Sequence, residues 1–406
     1  MTTLLVESSH ALPLVTISVT FRVGAVHDPL GGDGLARLTA RMLRRGCQGK
    51  TAEQIEEEIA RLGGAVFAHA GLGTSSIGCE VLVRSVDLMT DLLRRLVSTP
   101  TFDADELGKL KRQAQAEIVT ARDNDTVLAA RGLRRHLFAD HLHGRRVAGT
   151  CGSIAQLTVA QLREFHQRHY HRANALISIS GDVTAAKASA IAERLLEALA
   201  EGQPTSYPAK APEPAVGRNL VIIDKPDRTQ SQIIIGTLGT HPKDPDHVAL
   251  LVANTAFGGT FTSRLTHEIR SQRGWSYGAS SHLPSGLLRE AFSMWTAPGA
   301  DTAAACLTLE LELLAQWRDK GIDADELAKC QQYLRSSYAF EIDTPKKRLA
   351  QKIERELLDL PEDFHRRYVE QVGDVTLDEA NLAIQRRISD NALWVSAVAT
   401  NTAIGD

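Results

Sequence analysis

Two sets of segments in this 406-residue chain repeat one another in the same order, which constrains the fold more than any other feature. The octapeptide FDADELGK at 102–109 opens a candidate helix, and IDADELAK at 322–329 opens another. Leu157-Thr158, Gln161-Leu162 and the apolar run from Ala175 to Asp182 are answered by Val375-Thr376, a helix and the run from Asn391 to Ala399. Gly31-Gly32, ahead of one helix, pairs with Gly258-Gly259 ahead of another. Ordered matches at a nearly constant offset are hard to obtain by chance. Their period is far beyond the roughly 20–50 residues of solenoid repeats. Two homologous domains in tandem are therefore expected.

The stretch 201–217 is rich in Pro, Ala and Gly and lacks apolar periodicity, as a linker does. It divides the chain into an N-terminal domain over 1–200 and a C-terminal domain over 218–406, each of a size that closes its own core. Each half reads in the same order. An alternating strand (14–24; 232–237) leads to a glycine turn and an amphipathic helix. A strand pair follows (65–82; 277–295), then long helices, then a short apolar strand. Asp103 and Asp87 are placed to begin two of those helices. Mixed strands and helices with hairpin-like pairs predict an α+β fold of two tandem sandwiches, not a doubly wound sheet.

The formal net charge is −3, and 43% of residues are hydrophobic. That balance argues against nucleic acid as a partner, and the arginine pairs at 44–45, 134–135 and 145–146 read as solvated helix faces. No segment approaches the ~20 apolar residues of a membrane helix. Five cysteines are scattered without a CxxC pair, which points to a reducing compartment. The residues before Val23 carry no basic leader, and their alternation reads as a strand. The expected location is cytoplasmic, or periplasmic if a leader has been removed.

The segment GLARLTARMLRRG at 34–46 resembles the zinc helix of the pitrilysin/insulinase and mitochondrial-processing-peptidase family, which carries an inverted H-x-x-E-H motif. The resemblance covers the whole chain, including the tandem domains, the linker, and the segments around Gly149-Thr150 and from Tyr170 to Asp182. The family's zinc positions fall on Arg37 and Arg41 and its catalytic base on Ala40. Glu117 stands where the distal ligand belongs. A guanidinium has no lone pair for a metal, and Ala40 cannot deprotonate water. The resemblance thus implies a degenerate site, with no metal in this chain and Glu117 left to pair with Arg37 or Arg41. Other metal readings are weak: His141 and His143 lack further ligands, and His166, His169 and His171 suit capping and surface roles. Gly32-x-Gly34 lacks the third glycine and βαβ setting of a dinucleotide site.

The second half carries FGGTFTSRLTHEIRSQRGWSY at 257–277. A glycine turn, with Thr262 or Ser263 near the cap, leads into a helix that Gly274 ends. In the family the corresponding region holds an Arg and a Tyr seven residues apart, which bind substrate backbone and stabilise the transition state across from the zinc. Arg270 and Tyr277 match that spacing, and Arg264 falls where the family pins the loop. A phenol and a fixed guanidinium suit the negative charge of a tetrahedral intermediate.

The resemblance therefore implies the non-catalytic subunit of a heterodimeric zinc metallopeptidase. A homologous H-x-x-E-H partner of similar size supplies zinc, and this chain supplies Arg270 and Tyr277, acting on peptide or unfolded-protein substrates. No hydrolysis is expected from the isolated chain. The alternative is a scaffold or peptide-binding homologue without any peptidase role.

Overall fold

A computed structural model of the chain describes residues 3–208 and 210–400. Met1 and Thr2, Ala209 and 401–406, which the sequence assigns to the first domain, the linker and the second domain, lie outside the described residues. Two compact units emerge.

In the first unit, β1 (Thr3–Ser8) and β2 (Leu14–Phe21) precede α1 (Leu35–Met42). A short ribbon of β3 (Gly46–Cys47) and β4 (Lys50–Thr51) leads to α2 (Ala52–Leu62). Next come β5 (Ala65–Ala70), β6 (Ser75–Leu82), α3 (Val86–Ser98) and α4 (Ala104–Thr120). The helix α5 (Asp125–Leu137) belongs to the other unit. The chain then returns through α6 (Cys151–Gln156), α7 (Val159–His169), β7 (Ala175–Gly181) and α8 (Ala185–Glu197). The sheet runs β1-β7-β2-β6-β5. β2 pairs antiparallel with β6 and β7, and β1 runs parallel to β7. Alternation in β2 buries Val15, Ile17, Val19 and Phe21 beneath Leu38 and Met42 of α1 and Leu92 and Leu96 of α3.

The second unit repeats this topology. β8 (Gly217–Asp224) and β9 (Gln232–Leu238) precede α9 (His247–Asn254). Then come β10 (Ser276–His282), β11 (Ala291–Pro298), α10 (Ala303–Lys320) and α11 (Ala324–Glu341). The helix α12 (Pro345–Leu357) belongs to the first unit, and α13 (Phe364–Asp374), α14 (Leu377–Arg387) and β12 (Ala392–Ala399) complete the second. The strand order β10-β11-β9-β12-β8 is that of the first sheet, with β8 parallel to β12. Trp317 stacks on Phe257 at 4.4 Å and an interplanar angle of 7° in the core.

Three local features differ from the sequence reading. The helix that follows β9 is α9, so Gly258-Gly259 lies one helix later in its domain than Gly31-Gly32 does, and the two pairs are not equivalent. Asp87 sits inside the first turn of α3 and pairs with Lys187 at 2.6 Å and Arg194 at 3.0 Å instead of capping. Asp103 does cap, accepting from the Asp105 and Glu106 amides at 2.9 and 3.0 Å. The linear division at 201–217 also places α5 and α12 each in the half it does not pack with. In the first unit Leu349 of α12 closes over Leu5 and Leu176, and in the second Leu133 and Leu137 of α5 pack on Ile234, Leu238 and Val398.

Candidate functional site

The first candidate region is built on α1. Its first turn leaves orphan amides, and the Asp28 carboxylate accepts from two of them, Gly34 N and Ala36 N, both at 2.8 Å. Gly34 takes φ 97°, and a Cβ there would lie 2.7 Å from Ile154, so glycine is required at the entry. Ala40 is buried, while Arg37 and Arg41, one turn apart, reach the same carboxylate on α4. Arg37 Nη2 donates to Glu117 Oε2 at 2.8 Å, and Arg41 donates to both Glu117 oxygens at 2.9 Å. The sequence left Glu117 to pair with either arginine; it pairs with both. Burial raises the Glu117 pKa, but the hydrogen bonds and charge of Arg41, then of Arg37, outweigh it and hold the carboxyl below its usual 4.5.

This donor set does not fit zinc. The two guanidinium groups have no lone pair to offer a metal, and the single carboxylate already accepts three charge-assisted hydrogen bonds. No group of three or more His, Cys, Asp or Glu among the described residues is arranged to hold a metal. His141 Nε2 donates to the Lys210 carbonyl at 2.7 Å, while His143 is buried beside Glu290 at 3.4 Å, and burial pushes its pKa down to about 4. His166, His169 and His171 are buried and not on the surface, since α7 and the following turn pack them against the domain. His166 pairs with the Val97 carbonyl at 2.8 Å, and His169 with the Thr205 hydroxyl at 3.2 Å.

The second candidate region lies between α9 and β10. Residues 255–259 and 266–272 form π-helical turns, whose extra residue per turn is often found at functional sites. A Cβ on Gly258 would lie 2.6 Å from the Ser281 amide, so glycine lets this loop close on β10. The side chains of Thr262 and Ser263 do not cap backbone amides. They bond the hydroxyls of Thr260 and Thr266, at 3.4 and 3.3 Å. Thr266 also donates to the Ala279 carbonyl at 2.9 Å, tying the helix to β10. Arg264 forms a bidentate pair with Glu326 at the start of α11, 2.6 and 2.5 Å. Gly274, at φ 66°, ends the helix, and the Trp275 amide folds back to Ile269 O at 3.0 Å.

This scaffold brings Arg270 and Tyr277 together. The Arg270 Cζ lies 4.4 Å from the Tyr277 ring centroid and also 4.4 Å from that of Phe261. Tyr277 is 82% exposed and Phe261 68%. Arg264 and Arg273 hold Glu326 and Glu268, whereas Arg270 has neither an ion pair nor a side-chain hydrogen bond with any described residue. Phe261 is the member that residue-by-residue reading missed. Only its place in the glycine loop, nine positions before Arg270, hinted at it.

Duplicated α+β units, two guanidinium groups of one helix on a single carboxylate, and an Arg–Tyr pair exposed in the second unit are the features that set this chain beside known proteins. The family described as insulinase (peptidase family M16) matches residues 3–150, and the peptidase M16 inactive domain matches residues 156–334. The chain belongs to this family. Among its relatives, an uncharacterized zinc protease of Rickettsia felis is 25% identical over 80% of this chain and 77% of its own length. Another, of Bacillus subtilis, is 23% identical over 96% and 94%. The fold is shared with a peptidase M16 inactive domain from Pseudomonas fluorescens, at a TM-score of 0.91 and 24% identity, covering 100% of this chain and 99% of that one. It is also shared with a protease from Helicobacter pylori, at a TM-score of 0.87 and 16% identity over 97% and 96%.

Proposed function

We propose that this chain is the non-catalytic subunit of a heterodimeric zinc metallopeptidase. A homologous partner of similar size, carrying H-x-x-E-H, binds zinc and activates water. This chain contributes Arg270 and Tyr277, which bind the peptide backbone and donate to the oxygen that gains charge in the transition state. One observation carries the reading: Arg270 is a cation without a carboxylate, set against an exposed phenol, while its arginine neighbours are neutralised. The arginines on α1 support the other half of the reading, since Glu117 satisfies them and leaves no donor set for a metal. The proposal places the complex in the cytoplasm, consistent with five free cysteines.

Co-expression with a zinc-motif homologue and a peptide-hydrolysis assay test this. Arg270→Ala is expected to lower kcat about 10²–10³-fold and Tyr277→Phe to lower it to a lesser degree, as loss of an oxyanion donor does. Full activity in both variants would leave a scaffold or peptide-binding homologue as the better description. Elemental analysis of the isolated chain should find no stoichiometric zinc; one zinc per chain would overturn the reading.

A further inference from the structure

We infer that Phe261 is a positioning residue for Arg270, holding its guanidinium unpaired and in place for an anionic or carbonyl oxygen of the substrate. The inference rests on the reading of Arg270 as an oxyanion-side donor. The two rings flank one cation at equal distance, 4.4 Å each. An aromatic face attracts a guanidinium through its quadrupole without consuming a hydrogen-bond acceptor. A carboxylate in place of Phe261 would hold Arg270 as firmly but occupy its donors, as Glu326 does for Arg264 and Glu268 for Arg273. The two rings thus fix the side chain and leave its donors free. Long side chains lose rotamer entropy when they bind, and fixing Arg270 beforehand lowers that cost.

The exposure of Phe261 fits this role better than a packing role. At 68% exposed it adds little to the core, in contrast to Phe257, which lies four residues earlier and is fully buried against Trp317. Its backbone is nonetheless well placed. The glycine pair is closed on β10, Arg264 anchors the loop to α11, and the Thr266 hydroxyl lies 3.3 Å from the Thr260 carbonyl beside it. A large apolar ring is therefore presented to solvent from an anchored loop, with its face on the one arginine of the segment that lacks a carboxylate.

Two measurements test the inference. On the full isolated chain, the NMR resonance of the Arg270 side-chain NεH, assigned by its loss in Arg270→Lys, should carry a ring-current shift. Phe261→Leu should reduce that shift, and Phe261→Tyr should keep it. An unchanged shift in Phe261→Leu overturns the positioning claim, whether or not the peptidase reading holds. In the complex with the zinc-binding partner, Phe261→Leu should lower kcat about tenfold to a hundredfold with little change in KM, and Phe261→Tyr should restore it. The double variant Phe261→Leu/Arg270→Ala should be no slower than Arg270→Ala alone, because Phe261 acts through Arg270. Additive losses, or an Arg270→Ala defect without any Phe261→Leu defect, would reject the inference while leaving the peptidase reading in place. Full activity in Arg270→Ala would reject the peptidase reading itself.

Discussion

Glu117 ties two guanidinium groups to one carboxylate, and its side chain is 37% exposed. Solvent screens such pairs, so the triad is worth about 1 kcal/mol and not the several that a buried network would give. Its sign with pH follows from the depressed pKa. The stabilisation is complete above the unfolded value of 4.5 and is lost as pH falls through the lower folded value. Glu117→Gln should therefore destabilise the chain by about 1 kcal/mol at neutral pH, with the difference vanishing in acid. Urea titrations at the two pH values would check this, and an equal loss at both would contradict the ion-pair account. At this scale the sequence was informative where chemistry is local. That a guanidinium offers a metal no lone pair is legible from residue type alone. Phe261 was not legible, because a phenylalanine in a glycine loop gains its meaning only from the cation it faces.

On α10, the wholly buried Glu310 accepts from the Thr296 hydroxyl at 3.0 Å through one oxygen, and its other oxygen has no partner among the described residues. Burial raises its pKa to about 8, with the Thr296 hydrogen bond opposing that rise. Above pH 4.5 the unfolded chain releases this proton while the folded chain keeps it to about 8, so stability falls across that interval. Glu310→Gln keeps an acceptor and removes the titration. Its melting temperature should fall less than the wild type's between about pH 5 and 8; parallel curves would refute the assignment. Elements themselves were largely legible. Alternation in β2 and the Asp103 and Asp323 caps follow from period and hydrogen bonding within a few residues. Asp87 was misread because Lys187 and Arg194, a hundred positions away in sequence, compete for its carboxylate.

For the whole molecule, the helices α5 and α12 matter most. Each sits in the sequence of one half and in the core of the other unit. Arg348 and Lys352 of α12 hold Glu7 of β1 at 2.5 and 2.6 Å, above the Leu5–Leu176–Leu349 cluster. A fragment spanning residues 1–208 lacks that cover, and one spanning 210–406 lacks α5. Neither should melt cooperatively when expressed alone, whereas the two co-expressed should associate and recover a cooperative transition. Sharp independent melting of both fragments would show that the exchanged helices are dispensable.

The sequence by itself determined the duplication, the α+β class and the family resemblance. Each is written in residue identity, period or spacing. Only the tertiary structure decided which sheet α5 and α12 cover, that Glu117 binds both arginines, and that Phe261 joins Tyr277 at Arg270. An amphipathic face specifies that it must be buried, not against which sheet, and a charge does not name its partner. Those choices are settled where distant segments compete for the same surface, and no local pattern records the outcome.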